Sequence, residues 1–398
     1  MKFVRNPQAR KRKSTRINEL FGKEESQNVI QFHRSFPQYA PTPLVSLKQL
    51  AQYLGVKAIY VKDESQRFGL GSFKVLGGAY AIGRCLAQKL GQPLEQVPFD
   101  KLQSSSVRET LGTLTFATAT DGNHGRGVAW TAKQLGHKSV VYMPKGSSLR
   151  RLQHIQEVGA DVSITDWNYD DSVRHAAKEA ATHGWEVIQD TSWEGYVDTP
   201  THIMQGYTTM ANEALEQLVS EEGSQPTHVF VQAGVGAFAG AVIAYLNAAM
   251  DHSPTSVVIE PHEANCLFRT CEAGDGKLHR VEGEMNTIMA GLACGEPNPL
   301  GWEILSEFAD MFVSLPDSVA ARGMRVLGNP LLGDAPVISG ESGAVTAGFL
   351  SIVMNDQRWL DLRNQLSLNA DSIVLLFNTE GDTDPEMYRQ VVWNCECD

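Results

Sequence analysis

From Thr115 onward, short apolar runs alternate with longer amphipathic ones. The short runs predict strands at FATAT (116–120), KSVVYMP (138–144), ADVSIT (160–165) and WEVIQD (185–190). Between them GVAWTAKQLG (127–136), SLRRLQHIQEVG (148–159) and YDDSVRHAAKEAATHG (169–184) have the apolar spacing of helices. Alternation of this kind implies a parallel sheet covered on both faces. A break is expected around WEGYVDTPTHIMQGY (193–207), and then the alternation resumes. THVFVQA (227–233) and TSVVIEP (255–261) read as strands, and GVGAFAG (234–240) as a turn leading into a helix. The β-branched runs VVIE (257–260) and IVLLF (373–377) fit strands buried on both sides. Residues 262–300 are rich in Gly, Cys and Pro with few clear elements, and predict a long functional loop. The fold class is α/β, in two lobes, each an open and mostly parallel sheet with helices on both faces.

Composition narrows the function classes. A chain of 398 residues with 42% hydrophobic content can bury a full core. A formal net charge of −12 argues against a general nucleic-acid binder, because phosphate backbones need a surplus of lysine and arginine. The first sixteen residues are the exception, with Lys2, Arg5, Arg10, Lys11, Arg12, Lys13 and Arg16; they are expected to form a solvated arm. Neither an apolar core nor a small-residue cleavage site follows these charges, and no apolar run would span a bilayer. Cys395 and Cys397 form a lone C-x-C at the end of the chain, expected to fray, and Cys266, Cys271 and Cys294 are expected to be buried thiols. A cytoplasmic protein without a bound metal follows as the expectation.

Candidate chemistry lies in segments that put glycine, a hydroxyl or an ionisable group at the end of a predicted strand, where open α/β sheets bind ligands. In GSFKVLGGAY (71–80), Lys74 has apolar neighbours and small residues around it and opens an apolar helix. Desolvation disfavours its ammonium, and a neutral amine can form a Schiff base; a snorkelling lysine at a helix start is the equal alternative. ATDGNHGRG (119–127) is a strand-to-helix turn whose N–H groups would attract an anion, lined by Thr120, Asp121, Asn123 and His124. An ordinary capped turn would look similar. QAGVGAFAG (232–240) has the order of a phosphate cradle. It also approaches a dinucleotide fingerprint, since Gly234 and Gly236 are spaced correctly and Glu260 ends the next strand, although Gly240 comes one position late. FNTEGDTD (377–384) closes a buried strand with the hydroxyl of Thr379, which either partners a pyridine nitrogen or sits in a plain turn.

The combination is more specific than its parts. GSFKVLGGA, GNHGRG, GVGAFAG and ESGA (341–344) occur in the order seen in fold type II (tryptophan-synthase-β-like) pyridoxal-phosphate enzymes such as threonine and serine dehydratases, and PTPL (41–44) and KDES (62–65) match as well. The resemblance covers essentially everything after residue 40. TDGNHGRGVAW (120–130), WEGY (193–196), MAGLACGEPNPLGWEIL (289–305) and TEGDTD (379–384) are most similar to the branch of ammonia-lyases acting on diaminopropionate. The resemblance implies pyridoxal 5'-phosphate as cofactor, held covalently by Lys74. It places Asn123 on the phenolic oxygen, the Gly234–Val235–Gly236–Ala237 turn on the phosphate, and Thr379 on the pyridine nitrogen. Thr120, Gly122 and His124 would border the substrate. It also implies an N-terminal arm over 1–40, a large cofactor-binding domain from 41–80 and 196–398, a small domain over 81–195, and a homodimer.

Asp121 departs from the dehydratases, which carry a small hydroxyl residue before Gly-Asn-His. A carboxylate beside the substrate's own carboxylate would repel serine or threonine by about 4 kcal/mol at ~4 Å and an effective dielectric of ~20. It becomes favourable if the substrate brings a second ammonium, or if Asp121 takes a proton from the α-carbon. Asp190, ending WEVIQD, is a second candidate acid for that amino group. The expected reaction is loss of ammonia from 2,3-diaminopropionate, with Lys74 or Asp121 removing the α-proton, to give pyruvate and a second ammonia. A serine/threonine dehydratase or β-replacement synthase is the alternative within the fold. A nicotinamide oxidoreductase rests only on the glycine turn and Glu260, and a non-catalytic cofactor-binding protein has least support.

Overall fold

The computed structural model describes residues 1–9, 14–120 and 122–394. Among them are eleven strands, in chain order β1 (Lys2–Arg5), β2 (Leu44–Ser46), β3 (Ala58–Asp63), β4 (Thr115–Ala119), β5 (Lys138–Met143), β6 (Asp161–Ile164), β7 (Glu186–Val187), β8 (His228–Gln232), β9 (Thr255–Pro261), β10 (Met311–Leu315) and β11 (Ile373–Asn378). Seven make one sheet in the order β1-β10-β9-β8-β11-β3-β2, parallel within and closed by an antiparallel strand at each edge. The other four make a parallel sheet in the order β6-β5-β4-β7. Every residue of β8, β10 and β11 is buried, the pattern of strands covered on both faces. Among the described residues no helix is long and apolar enough to cross a membrane.

The break expected around 193–207 is instead the start of the longest helix, Asp198–Glu222, with Pro200 in its first turn. Proline is tolerated there because the first-turn N–H groups have no intrahelical acceptor anyway. The helix packs backbone to backbone on the helix Lys74–Lys89: a Cβ on Gly206 would lie 2.5 Å from the Leu76 carbonyl. The basic N-terminal stretch also differs from a loose solvated arm in its described part. Lys2 and Arg5 are exposed, but their backbone pairs with β10, and Asn6 is buried with its amide on the carbonyls of Ser306 and Ala309. Residues 10–13, and Cys395 and Cys397, lie outside the described residues. The region 262–300 is irregular from 274 to 289 as expected, but it holds the helix Cys266–Ala273, in which Cys266 and Cys271 are buried.

An ionic cluster anchors the approach to Lys74. Arg67 is 1% exposed; its guanidinium donates to Glu64 at 2.8 Å and to Glu213, on the long helix, at 2.7 Å. Lys62 adds a second cation, 2.7 Å from the same Glu213 carboxylate. After burial itself, which opposes ionisation, these two cations dominate and hold Glu213 well below the usual carboxylate range.

Candidate active site

Lys74 is the first residue of its helix, reached through a loop that β11's extension holds in place. Phe73 N–H donates to the Thr379 carbonyl at 3.1 Å, and Gly381 N–H to the Gly71 carbonyl at 2.9 Å. The Phe73 ring packs against Tyr207 and Phe238, with centroids 4.7 and 4.9 Å away, so the lysine emerges from an apolar wall. Its ammonium donates to Asp190 Oδ2 at 2.7 Å. Asp190 follows β7, and its other oxygen accepts from Tyr169 Oη at 3.0 Å. Burial alone would raise the Asp190 carboxyl, but the Lys74 ammonium, then His124, and the two hydrogen bonds keep it well below the usual carboxylate range. Burial and the neighbouring Asp190 push the Tyr169 phenol far up, so it stays a neutral donor.

The same pocket collects the other expected segments. Thr120, Asn123 and His124 enter from the turn after β4; Gly234, Val235, Gly236 and Ala237 from the turn after β8; Thr379 from the end of β11. Gly122 does not line it. Its N–H donates to Thr120 Oγ1 at 2.9 Å, and its φ of +153° shapes the turn. Asp121 lies outside the described residues. Asn123 Nδ2 donates to Glu380 Oε2 at 2.6 Å, and His124 Nε2 donates to the Ile188 carbonyl at 2.8 Å. The helix Ala237–Ala249 points its N-terminus at the pocket behind Gly236, whose φ of +97° suits only glycine. First-turn N–H groups have no intrahelical acceptor, so this end attracts an anion.

The sequence assigns no role to other residues in and behind the pocket walls. Asn298 is fully buried and ties two walls together: Nδ2 donates to the Asp190 carbonyl at 2.8 Å and its N–H to the Val235 carbonyl at 2.7 Å. Tyr169 lines the pocket outside any motif, while Ser342, Glu380 and the 290–292 turn fall within the motifs ESGA, TEGDTD and MAGLACGEPNPLGWEIL without a role assigned to them. Gln232 carried a hint, being the one polar side chain at the end of the apolar run VFV. Glu380 is backed by a second buried carboxyl, Glu341, pushed up to about 7 by burial and then by Glu380, with Arg151 opposing.

The dinucleotide alternative fails on Glu260. It is fully buried, and both its oxygens are taken by the N–H groups of Leu267 and Phe268 at 2.9 and 2.6 Å, so it caps a helix and offers nothing to a ribose. What the pocket does offer is a lysine in an apolar wall, a helix N-terminus for an anion, and buried polar atoms of Ser342 (Oγ) and Gln232 (Oε1) without partners among the described residues. Those are the requirements of an aromatic aldehyde carrying a phosphate, and pyridoxal phosphate fits them. The chain belongs to the pyridoxal-phosphate dependent enzyme family, whose model matches residues 36–376. Within that family it is 53% identical over 378 residues to the diaminopropionate ammonia-lyase of Escherichia coli strain K12, covering 94% of this chain and 92% of that protein. It is 52% identical over 368 residues to the enzyme of the same name from Salmonella typhimurium, covering 92% and 91%. The crystal structure of the holo diaminopropionate ammonia lyase from Escherichia coli superposes with a TM-score of 0.92 at 50% identity, covering 99% of this chain and 97% of that one.

Proposed function

We propose that the protein removes ammonia from 2,3-diaminopropionate by α,β-elimination, giving pyruvate and two molecules of ammonia with the uptake of one water. The observation that carries this reading is the buried, ionised Asp190 at 2.7 Å from Lys74. A pocket with a fixed negative charge beside its amine suits a substrate bearing two ammonium groups. It suits serine or threonine, with one, less well, and the dehydratase alternative is not favoured.

Pyridoxal phosphate, when bound, supplies an electron sink for the charge left at the substrate's α-carbon. Lys74 would hold it covalently, Asn123 would donate to its phenolic oxygen, and Thr379 would face its ring nitrogen. Its phosphate would rest on the N–H groups of Gly234, Val235, Gly236 and Ala237. Lys74 Nζ would also act as the base at the α-carbon for one enantiomer, with Asp121 serving the other. Asp190 would hold the β-ammonium until it leaves, and the neutral Tyr169 hydroxyl keeps that carboxylate oriented. Thr120 and His124, which line the pocket, would border the substrate. The division expected from the resemblance, with 41–80 and 196–398 as cofactor domain and 81–195 as small domain, is supported by the strand membership of the two sheets. A cytoplasmic homodimer completes the reading, supported by the buried thiols Cys266 and Cys271 and by the family resemblance.

The test is a steady-state assay on each enantiomer of diaminopropionate and on serine, with pyruvate and ammonia both measured. Two ammonia per pyruvate, with diaminopropionate preferred over serine, is the expected result; a preference for serine would restore the dehydratase.

A further inference from the structure

A hydroxyl has one proton and two lone pairs, so its neighbours decide whether it acts as donor or acceptor toward a ligand. Thr379 is 4% exposed and lines the pocket from the end of β11. Gln232, at the end of the adjacent β8, is 1% exposed. Its Nε2 donates to the Phe377 carbonyl at 3.2 Å and to Thr379 Oγ1 at 2.8 Å. The two ends of a carboxamide have nearly the same shape, but Phe377's carbonyl can only accept, so the NH2 end must face it. The second N–H of that nitrogen is the one that reaches Thr379. Thr379 Oγ1 therefore accepts from Gln232, and its own proton is left for the pocket.

We infer that Gln232 is a positioning residue that fixes the Thr379 hydroxyl as a donor, so that a bound pyridine ring is held with its nitrogen unprotonated. The inference rests on the reading of Thr379 as the partner of that nitrogen. A ring nitrogen receiving a hydrogen bond keeps its lone pair, and the ring then stores less of the charge arising at the α-carbon. Prompt loss of a β-amino group is favoured over slow return of the proton. The cost of the device is visible. Gln232 is buried with its Oε1 unpartnered among the described residues, an expense that an apolar side chain after VFV would avoid.

Polarity should invert in Gln232→Glu. Whether ionised or carrying a proton toward Phe377, the glutamate oxygen replacing Nε2 accepts from Thr379, and Thr379 can then offer only a lone pair to the ring. The measurement is the 15N chemical shift of holoenzyme reconstituted with pyridoxal phosphate labelled at the ring nitrogen. Wild type should give the unprotonated value, and Gln232→Glu should move to the protonated one. Gln232→Met, neutral and of similar length, covers the case in which the glutamate variant fails to fold. It should raise the pH at which the nitrogen protonates and weaken cofactor binding by roughly tenfold, the scale of one lost hydrogen bond. A wild-type shift and cofactor affinity in Gln232→Met, or a wild-type shift in folded Gln232→Glu, while Thr379→Val does change the shift, would overturn the role of Gln232 and leave that of Thr379. An unchanged shift in Thr379→Val would overturn both.

Discussion

Lys74 Nζ and Asp190 Oδ2 are 2.7 Å apart, though Lys74 follows a strand of the large sheet and Asp190 a strand of the small one. The pair therefore fastens the two sheets' ends across the pocket as well as setting its charge. Replacing Lys74 by alanine removes the attachment amine and leaves a buried carboxylate without its cation. Borohydride should then fix no cofactor to the protein, as read by intact mass; a mass increment on any other lysine would show the assignment wrong. The variant's apo form should also lose roughly 1–3 kcal/mol. That is below the ~3–5 kcal/mol for breaking a fully buried pair, because the Lys74 side chain is 19% exposed.

Asp190→Asn keeps the shape of the site and removes its negative charge. If Asp190 holds the β-ammonium, kcat/KM for diaminopropionate should fall by roughly two orders of magnitude or more. Residual turnover of serine, which has no second ammonium, should fall less. In the cofactor-free protein the Lys74 ammonium, and then His124, hold Asp190 below its ordinary 3.8 against the effect of burial. Equal losses on both substrates would assign Asp190 to the fold rather than to the second amino group.

Glu213 binds two buried cations, Arg67 and Lys62. Its folded-state carboxyl titrates below the ordinary 4.5. A depressed carboxyl contributes stability that is fully present above its unfolded value and is lost as pH falls through the folded one. Glu213→Gln leaves Arg67 and Lys62 short of charge and should cost about 3–5 kcal/mol at neutral pH. The deficit should narrow as pH drops below about 4.5, where the wild type loses its own advantage. Denaturant unfolding of the apo form at several pH values measures this; a constant deficit would mean that the carboxylate's charge is not the source.

Much of this was legible in the chain, and the reasons differ from element to element. Strands such as β8 and β11 announce themselves because both faces are buried, which demands unbroken apolar runs. Lys74, Asn123, Gly236 and Thr379 stand at strand ends or helix starts within glycine-rich turns, where local sequence carries the geometry. The long helix Asp198–Glu222 was missed because Pro200 and Gly206 look like breakers. One sits where proline is harmless, and the other is needed for contact with Leu76. Asn298 and Tyr169 were missed because their importance lies in partners more than a hundred residues away or in a pocket wall that only the fold assembles. Glu260 misled because its spacing imitated a ribose ligand, while its oxygens serve a helix seven residues on.

Asp121 is where this chain departs most from ordinary dehydratases, and it gives the sharpest test of the mechanism. Its neighbours Thr120 and Asn123 both line the pocket. Lys74 can take the α-proton directly only from a substrate presenting it on the lysine's side. The opposite enantiomer presents its proton to the other side, and a general base acts only within hydrogen-bond reach. Two bases are therefore needed if both isomers are to react, and Asp121 is the one proposed as the second. Asp121→Asn should keep most of the activity on L-diaminopropionate and lose that on the D-isomer by about two or more orders of magnitude, the scale of a deleted general base. Should Asp121 instead bind the β-ammonium, both isomers would suffer alike, mainly through a higher KM. Steady-state kinetics on each pure enantiomer separate the outcomes, and equal losses would end the two-base mechanism.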